Sequence, residues 1–576
     1  MPPKRKLPST ITELAAATAV DSTTLPQTPS KRQKTVSMRK RAMPPGRQNT
    51  PKLKTTSKWS PTSVSSLPPS HSIPGLSSYD FPNENCLMWF RSDLRLQDNP
   101  ALSTASRIAH ANSKFLFALY IISPQDWQLH DTAAIKVNFI MRSLKVLKEK
   151  LAALNIPLIV ETVEEKKNIA RALTDICQRI NVSHVFSNIE YEVDEQKRDK
   201  ECQNECETHK IKIEFFHDQC VAIPGSIVSK ENKPYTVYTP FKKNWLSTVE
   251  STEAFLQLSP PPTTPFPSCI RSTQPSLFSL PIPSSPGIYE YPLALLSISC
   301  ELYPAGEDEA HKRLNAFIEK KINSYHDDRD IPCIDGSSGL SPYLASGVIS
   351  CRQCVNAARR ANGNKLQIGK KGIVSWIAEL VWRDFYRHVL VAFPRVCMNR
   401  AYKIQYENVK WNENEEMFQR WCEGKTGYPI VDAGMRQLNG SGWMHNRVRM
   451  IAAMFLVKDL LINWQKGEKY FMQHLIDGDF ANNNGGWQWC ASSGTDAQPY
   501  FRIFNPLLQS QKFDRDGIYI QKWVPELRSL SSKLIHDPYG SLSPKEFQQL
   551  GYPAPIVDHK VARQLCLERF KEALGK

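Results

Sequence analysis

The chain has 576 residues, more than one hydrophobic core usually holds, so two folded domains with unfolded extensions are expected. Its formal net charge is +16 and its isoelectric point about 9.1, which favours polyanionic partners such as nucleic acid or an acidic membrane surface. Fourteen cysteines scattered through so long a chain, with no apolar segment after the first charged residues, speak against a secreted disulfide scaffold. No run of about 18 apolar residues occurs, so no membrane span is expected.

The charge is concentrated at the start. Residues 1–58 carry 13 Lys and Arg against Glu13 and Asp21, so this stretch holds +11 and the remainder about +5. Residues 1–80 are rich in Pro, Ser, Thr, Lys and Arg and poor in aliphatic side chains, which predicts a disordered basic tail. Within it, Pro3-Lys4-Arg5-Lys6, Lys31-Arg32-x-Lys34 and Arg39-Lys40-Arg41 read as signals for a nuclear import receptor. A weak DNA-gripping arm and a mitochondrial transit peptide are the competing readings.

From residue 85 to 220 short apolar runs (CLMWF, FLFALYI, IPLIVET, HVFSN, IKIEFF) alternate with helical patterns such as the amphipathic stretch 133–154. That alternation predicts an α/β domain with a doubly wound parallel sheet. Residues 221–304 read as an interdomain linker, with nine prolines between 258 and 287. From 305 to 576 apolar residues recur at helical spacing, which predicts an all-α second domain.

Three segments of that second domain look chemical rather than structural. LIDGDFANNNGGWQWCASSGTDAQPYFRIFNP, residues 475–506, mixes acids, asparagines and glycines with two tryptophans, and is expected to form a cavity-lining loop. In WIAELVWRDFYRHVL, Trp376, Glu379, Arg383 and Tyr386 share one helical face, bordered by Trp382. In GWMHNRVRMIAAMFLVKDLL, Trp443, Asn446, Arg447 and Met450 fall on neighbouring faces of a third expected helix. Any one stripe alone would more often be core; together they predict a pocket for a flat aromatic ligand.

TGYPIVDAGMRQLNGSGWMHNRVRM, NNNGGWQWCASSGTDAQPYFRIFNP, the opening WFRSDLRLQDNPAL at 89–102 and the closing PIVDHKVARQLCLERF closely resemble the photolyase and cryptochrome family, and within it the cyclobutane-pyrimidine-dimer photolyases. The resemblance implies an N-terminal antenna domain and a helical domain holding FAD. By motif match Tyr325, Ser337, Ser338, Gly339, Leu340 and Ser341 would lie near the phosphates, with Trp376 and Arg383 alongside. Asp477, Gly478 and Asp479 would lie toward the sugar and adenine, and Asn483 would face flavin N5. Gly339 stands where many relatives have a basic residue, so the phosphates would lean on backbone N–H groups and hydroxyls.

The implied reaction is light-driven repair of a flipped-out dimer by an electron from excited reduced flavin. Glu379 would hydrogen-bond the pyrimidine edge, Trp382 and Trp489 would stack on the damaged bases, and Met450 would line the same wall. Asn446 and Arg447 would contact dimer and phosphate, and Arg329, Arg502 and Lys512 would clamp the backbone. Trp487, Trp464 and Trp411 match an electron relay from flavin to surface. His130 and Glu195 match an antenna site for 5,10-methenyltetrahydrofolate, although Asp194 and Met398 replace an expected Asn and Lys. A deazaflavin, another flavin or no antenna are the alternatives there.

The implied partner is dimer-bearing DNA, with no membrane, no metal, a monomeric state and a nuclear or mitochondrial address. The competing function is a cryptochrome-like blue-light receptor that signals without repair. Asn446, Met450 and Trp489 favour repair of cyclobutane dimers, because (6-4) enzymes carry a histidine pair near the first two and single-strand-type cryptochromes lack the second pocket tryptophan.

Overall fold

The computed structural model describes residues 84–262 and 269–575, so the basic tail and its import-like tracts lie outside the described residues. Five parallel strands, β1 (Asn85–Phe90), β2 (Leu116–Ile122), β3 (Leu158–Thr162), β4 (Val182–Asn188) and β5 (Lys212–Phe216), form one sheet in the order β3-β2-β1-β4-β5. Both faces are covered, which is why the strands read as near-continuous apolar runs rather than alternating ones. Helices α1 (Pro100–Ala111) and α2 (Ala134–Ala153) bury Met88, Ala118 and Phe90 on one face. On the other, α3 (Ile169–Arg179) and α4 (Val193–Thr208) bury Leu87, Trp89 and Leu119. The alternation predicted for 85–220 is therefore the one observed.

The rest is helical. Its principal helices are α5 (Tyr238–Ser251), α6 (Cys351–Ala361), α7 (Lys371–Ala392), α8 (Pro429–Ser441), α9 (Asn446–Met454), α10 (Trp464–His474), α11 (Phe480–Ala491) and α12 (His559–Ala573). The sheet face under α1 and α2 shares its core with α6 and α7, whereas α8 to α11 enclose a second core around Trp421, Phe455 and Trp487. Among the described residues every cysteine is free; Cys351 and Cys354, spaced C-x-x-C on α6, are buried thiols whose pKa values burial raises.

The halves are joined by a buried ion cluster rather than by chain continuity alone. Arg352 on α6 reaches Asp98 at 2.9 Å and Asp218 at 2.6 Å, and Arg95 reaches Asp218 at 2.5 Å. Removing one partner of such a cluster would strand a charge away from water, which typically costs about 3–5 kcal/mol. Asp384 on α7 accepts from the Val221 and Ala222 N–H groups and from Trp245 Nε1 at 2.9 Å.

Three local expectations differ from the structure. The segment 480–491 is a helix, not a loop, because Asp479 caps it by accepting from Asn482 N–H and its asparagines find side-chain partners. Its glycines make room: a Cβ at Gly485 would lie 2.2 Å from the Tyr386 ring. Trp443 precedes α9, which His445 caps, and the helical path after Met454 widens into a π turn over Phe455–Asp459. Within the stretch read as linker, α5 buries Tyr238, Phe241 and Trp245 against α7, its apolar spacing masked by the proline-rich sequence that follows.

Candidate functional site

The second core opens into a cavity of about 370 Å³. Helix α7 contributes Glu379, Trp382 and Tyr386, and α9 contributes Asn446, Arg447 and Met450. Asp477, Gly478 and Asp479 come from the turn before α11, and Asn483, Gly486, Trp487 and Trp489 from α11 itself. Residues as far apart in sequence as Glu379 and Trp489 thus line one cavity, whereas Trp376, Arg383 and Trp443 of the same motifs do not line it. A Cβ at Gly486 would stand in open space clear of neighbouring side chains, so the glycine leaves room for a ligand to approach the backbone there.

Asp477 and Asp479 are held by arginines. Arg449 grips Asp477 through Nη2 at 2.8 Å, and Arg387 grips Asp479 at 2.6 Å with Arg383 at 3.9 Å. Burial opposes ionisation of Asp479, but Arg387 and Arg383 outweigh it and keep the carboxyl well below the usual range. Carboxylate acceptors fixed by arginines in this way suit hydroxyls and amino groups of a sugar or purine. Arg387 and Arg449 were not foreseen, although Arg387 lies four residues after Arg383 and Arg449 three after Asn446, spacings that place each next to a recognised motif residue on its helix.

Trp376 is buried against Phe317, and Tyr325 packs edge-on to the same ring. The loop 337–341 turns on Gly339, whose φ of +63° suits glycine, and Ser341 Oγ accepts from Trp443 Nε1 at 3.3 Å. Arg313 Nη1 lies 3.4 Å from where a Gly339 Cβ would stand. A guanidinium therefore occupies the neighbourhood of the basic side chain that Gly339 lacks, although Arg313 also pairs with Glu309 at 3.0 Å.

Asn483 is not free on the protein side. Its Nδ2 donates to the Glu468 carboxylate at 3.1 Å and to the Glu468 carbonyl at 3.0 Å, which fixes the amide, and among the described residues none donates to its oxygen. Burial pushes the Glu468 carboxyl up to about 7, against the pull of the Asn483 hydrogen bond. Glu468 lies on α10, and no sequence signal singled it out.

At the mouth, charges alternate. Arg329 Nη1 meets Glu379 Oε1 at 2.5 Å and Arg329 Nε lies 3.9 Å from Asp330, whose carboxylate receives Arg447 Nη2 at 2.8 Å. Burial raises the Glu379 pKa, and Arg329 counteracts it. Phe513 carries the Arg447 guanidinium at 4.4 Å and Lys512 at 5.0 Å from its ring, and Arg502 is exposed.

Of the three relay candidates, Trp487 lines the cavity, Trp464 is buried at the start of α10, and Trp411 is half-buried against Phe570 at 6.0 Å. Gly467 is what lets Trp487 in, since a Cβ there would lie 2.2 Å from its ring. Trp421, missed in the sequence, lies edge-on to Trp487 at 6.1 Å.

A second cavity, of about 200 Å³, lies outside the carboxyl ends of β1 and β4, where the strand order reverses and α/β sheets commonly bind ligands. It is lined by His130 and Glu195 together with Asp126 and Asp194, both of which pair with Lys166. His130 sits 2.7 Å from Asp194 and 3.4 Å from Glu195, and Glu195 Oε2 is buried without a hydrogen-bond partner. Burial opposes protonation of His130, but these carboxylates prevail and raise its pKa to about 9. Met398 is 65% exposed and, as an uncharged thioether, offers no cation to an anionic tail. The two cavities share Gly478 and Asp479 as a common wall.

Comparison with known proteins agrees with this architecture. Residues 86–266 match the family model for DNA photolyase, and residues 376–572 match that for the FAD binding domain of DNA photolyase. A deoxyribodipyrimidine photo-lyase of Neurospora crassa is 45% identical over 503 residues, covering 85% of this chain and 82% of that protein. The crystal structure of a bacterial class III photolyase from Agrobacterium tumefaciens superposes with a TM-score of 0.72 at 32% identity, covering 87% of this chain and 99% of that one. That of a Synechocystis cryptochrome gives 0.72 at 27% identity, covering 85% of this chain and all of that one. The C-terminal half is thus an FAD-binding domain behind a parallel α/β domain. The chain belongs to the DNA photolyase family.

Proposed function

We propose that this protein repairs cyclobutane pyrimidine dimers in DNA under light, as a deoxyribodipyrimidine photo-lyase. The observation that carries the reading is the single cavity lined by Glu379, Trp382, Asn446, Met450 and Trp489 together with Asp477, Asp479 and Asn483. The first five would offer aromatic faces and a carboxylate to a pair of bases; the other three, with the bare backbone of Gly486, would offer fixed acceptors to a dinucleotide cofactor.

The residues present fit FAD. Asp477 and Asp479 would take the sugar and adenine side, the 337–341 loop the phosphates, and Trp376 and Arg383 would flank them. When bound and reduced, FAD supplies a light-activated one-electron donor. Asn483, pinned by Glu468, would present its amide oxygen to a ring N–H. Glu379 would accept from the pyrimidine edge and orient the dimer, while Trp382 and Trp489 would stack on bases drawn out of the duplex. None of these residues needs to act as a nucleophile; their work is to bind, orient and exclude water. The phosphate clamp would be Arg329, Arg447, Arg502 and Lys512, a sequence-independent set suited to reading damage rather than sequence.

The second cavity would serve an antenna. Glu195 and His130 suit the hydrogen-bonding edge of a pterin-type ring, which favours the folate, whereas the acidic surroundings do not favour an anionic tail. Trp487, Trp464 and Trp411 would carry electrons inward to restore reduced cofactor. The basic segment 1–58 would direct nuclear import. A binding assay in the dark tests the core of this reading: FAD should copurify, and duplex carrying one thymine dimer should bind more tightly than the undamaged duplex. FAD retention with no preference for the dimer would instead favour a signalling receptor.

A further inference from the structure

The cavity mouth carries an acid that the proposed chemistry does not use. Asp330 holds Arg447 through a two-pronged contact, Nη2 to Oδ2 at 2.8 Å and Nε to Oδ1 at 3.3 Å. A guanidinium fork matched to a carboxylate is equally matched to a phosphate, so Asp330 occupies the position a DNA phosphate would take on Arg447. Arg329, next along the chain, is held at 2.5 Å by Glu379 and lies only 3.9 Å from Asp330. Glu379, Arg329, Asp330 and Arg447 thus form a row of alternating charge, of which Glu379, Arg329 and Arg447 line the cavity and Asp330 lies just outside its lining.

We propose that Asp330 is a discrimination residue which keeps Arg447 from gripping DNA until a dimer has entered the cavity. The inference rests on the reading of the site given above. On undamaged duplex, Arg447 can reach a phosphate only by giving up its carboxylate, an exchange of one anion for another with little net gain. A dimer that hydrogen-bonds Glu379 draws that carboxylate away from Arg329. Arg329 then turns to Asp330, its nearer remaining acid, and Arg447 is released to the phosphate. Lesion recognition and phosphate grip are linked by this exchange of partners along one row. The coupling works in both directions, as any equilibrium linkage must.

The row is not part of the structural core. Its four side chains are 17–35% exposed, so exchange of partners requires no unfolding of the surrounding helices.

The test compares affinities in the dark for a duplex with one thymine dimer and for the same duplex undamaged, across a series of salt concentrations. Asp330→Asn should bind undamaged duplex roughly fivefold more tightly, the weight of one partly exposed ion pair. Its dimer-to-undamaged ratio should fall by a similar factor. Its salt dependence on undamaged duplex should steepen by about one further counterion, as expected when one more phosphate is neutralised. In Asp330→Asn with Arg447→Gln the gain should vanish, and Asp330→Glu should restore discrimination. Unchanged affinity and salt dependence in Asp330→Asn would overturn the proposal, as would a gain that persists without Arg447. Absence of any dimer preference in the wild-type chain would instead remove the reading of the site itself, and the proposal with it.

Discussion

Tyr238 and Trp382 lie face to face, with ring centroids 3.5 Å apart and planes inclined by 7°. The Tyr238 hydroxyl donates to the Ala378 carbonyl at 2.6 Å, and Lys242 stands 5.7 Å above the outer face of the pair. One face of Trp382 is therefore fixed by α5 while Trp382 itself lines the cavity. A rigid aromatic platform loses little entropy when a base stacks on it.

Tyr238→Leu should accordingly weaken dimer binding by roughly five- to tenfold, in line with about 1 kcal/mol for an aromatic pair beyond its area. Flavin content should not change. Tyr238→Phe keeps the stack and should stay within about twofold of wild type on the same grounds. Equilibrium binding of both variants to dimer-bearing duplex checks this, and equal losses in the two would show that the hydroxyl, not the stack, matters.

Glu379 lines the cavity alongside Trp382 and pairs with Arg329 at 2.5 Å. Glu379→Gln should lower the number of dimers split per absorbed photon by about tenfold, as befits the loss of a hydrogen bond to a charged group, while FAD remains bound. Steady illumination with counted photons measures it. Unchanged splitting would remove Glu379 from its assigned role.

Trp411 is the outermost of the three tryptophans and the most exposed to solvent. Trp411→Phe should slow light-driven reduction of oxidised flavin and leave repair by chemically reduced enzyme intact. Flavin absorbance under illumination, followed by a repair assay after dithionite, separates the two. If repair by the pre-reduced enzyme failed as well, Trp411 would be serving structure and not the relay.

Glu468 gives a pH signature. Its folded pKa of about 7 lies above the ordinary 4.5, so the folded state binds its proton more tightly than the unfolded chain does. That contribution is fully present below pH 4.5 and is lost as the pH rises through 7. The loss amounts to something on the order of 3 kcal/mol. Glu468→Gln should therefore raise the melting temperature at pH 8.5 relative to wild type and change it little near pH 4.5. Thermal unfolding at the two pH values checks the sign; equal shifts at both would mean the carboxyl is ionised throughout.

Much of this architecture was legible beforehand. The strands of 85–220 stand out because the central β1 and β2 are apolar on both faces, and the cavity residues of α7 and α9 appear because their spacing puts them on shared faces. The segment 480–491 misled, since asparagines and glycines argue locally against helix; their partners Glu468 and Asn399 are distant in sequence, and the room needed by Tyr386 explains Gly485. Tyr238 was invisible for a related reason. It stacks on a residue 144 positions away, from a segment whose prolines signalled a linker. Arg313 at the Gly339 turn and Asp330 on Arg447 are likewise pairings made only by the fold.

The central claim is tested most directly by mixing purified protein, with its flavin reduced, with ultraviolet-irradiated DNA and counting cyclobutane dimers after blue light and after darkness. Loss of dimers in the light alone is the predicted result. Dimers that persist in the light, with reduced flavin bound and the DNA engaged, would contradict it.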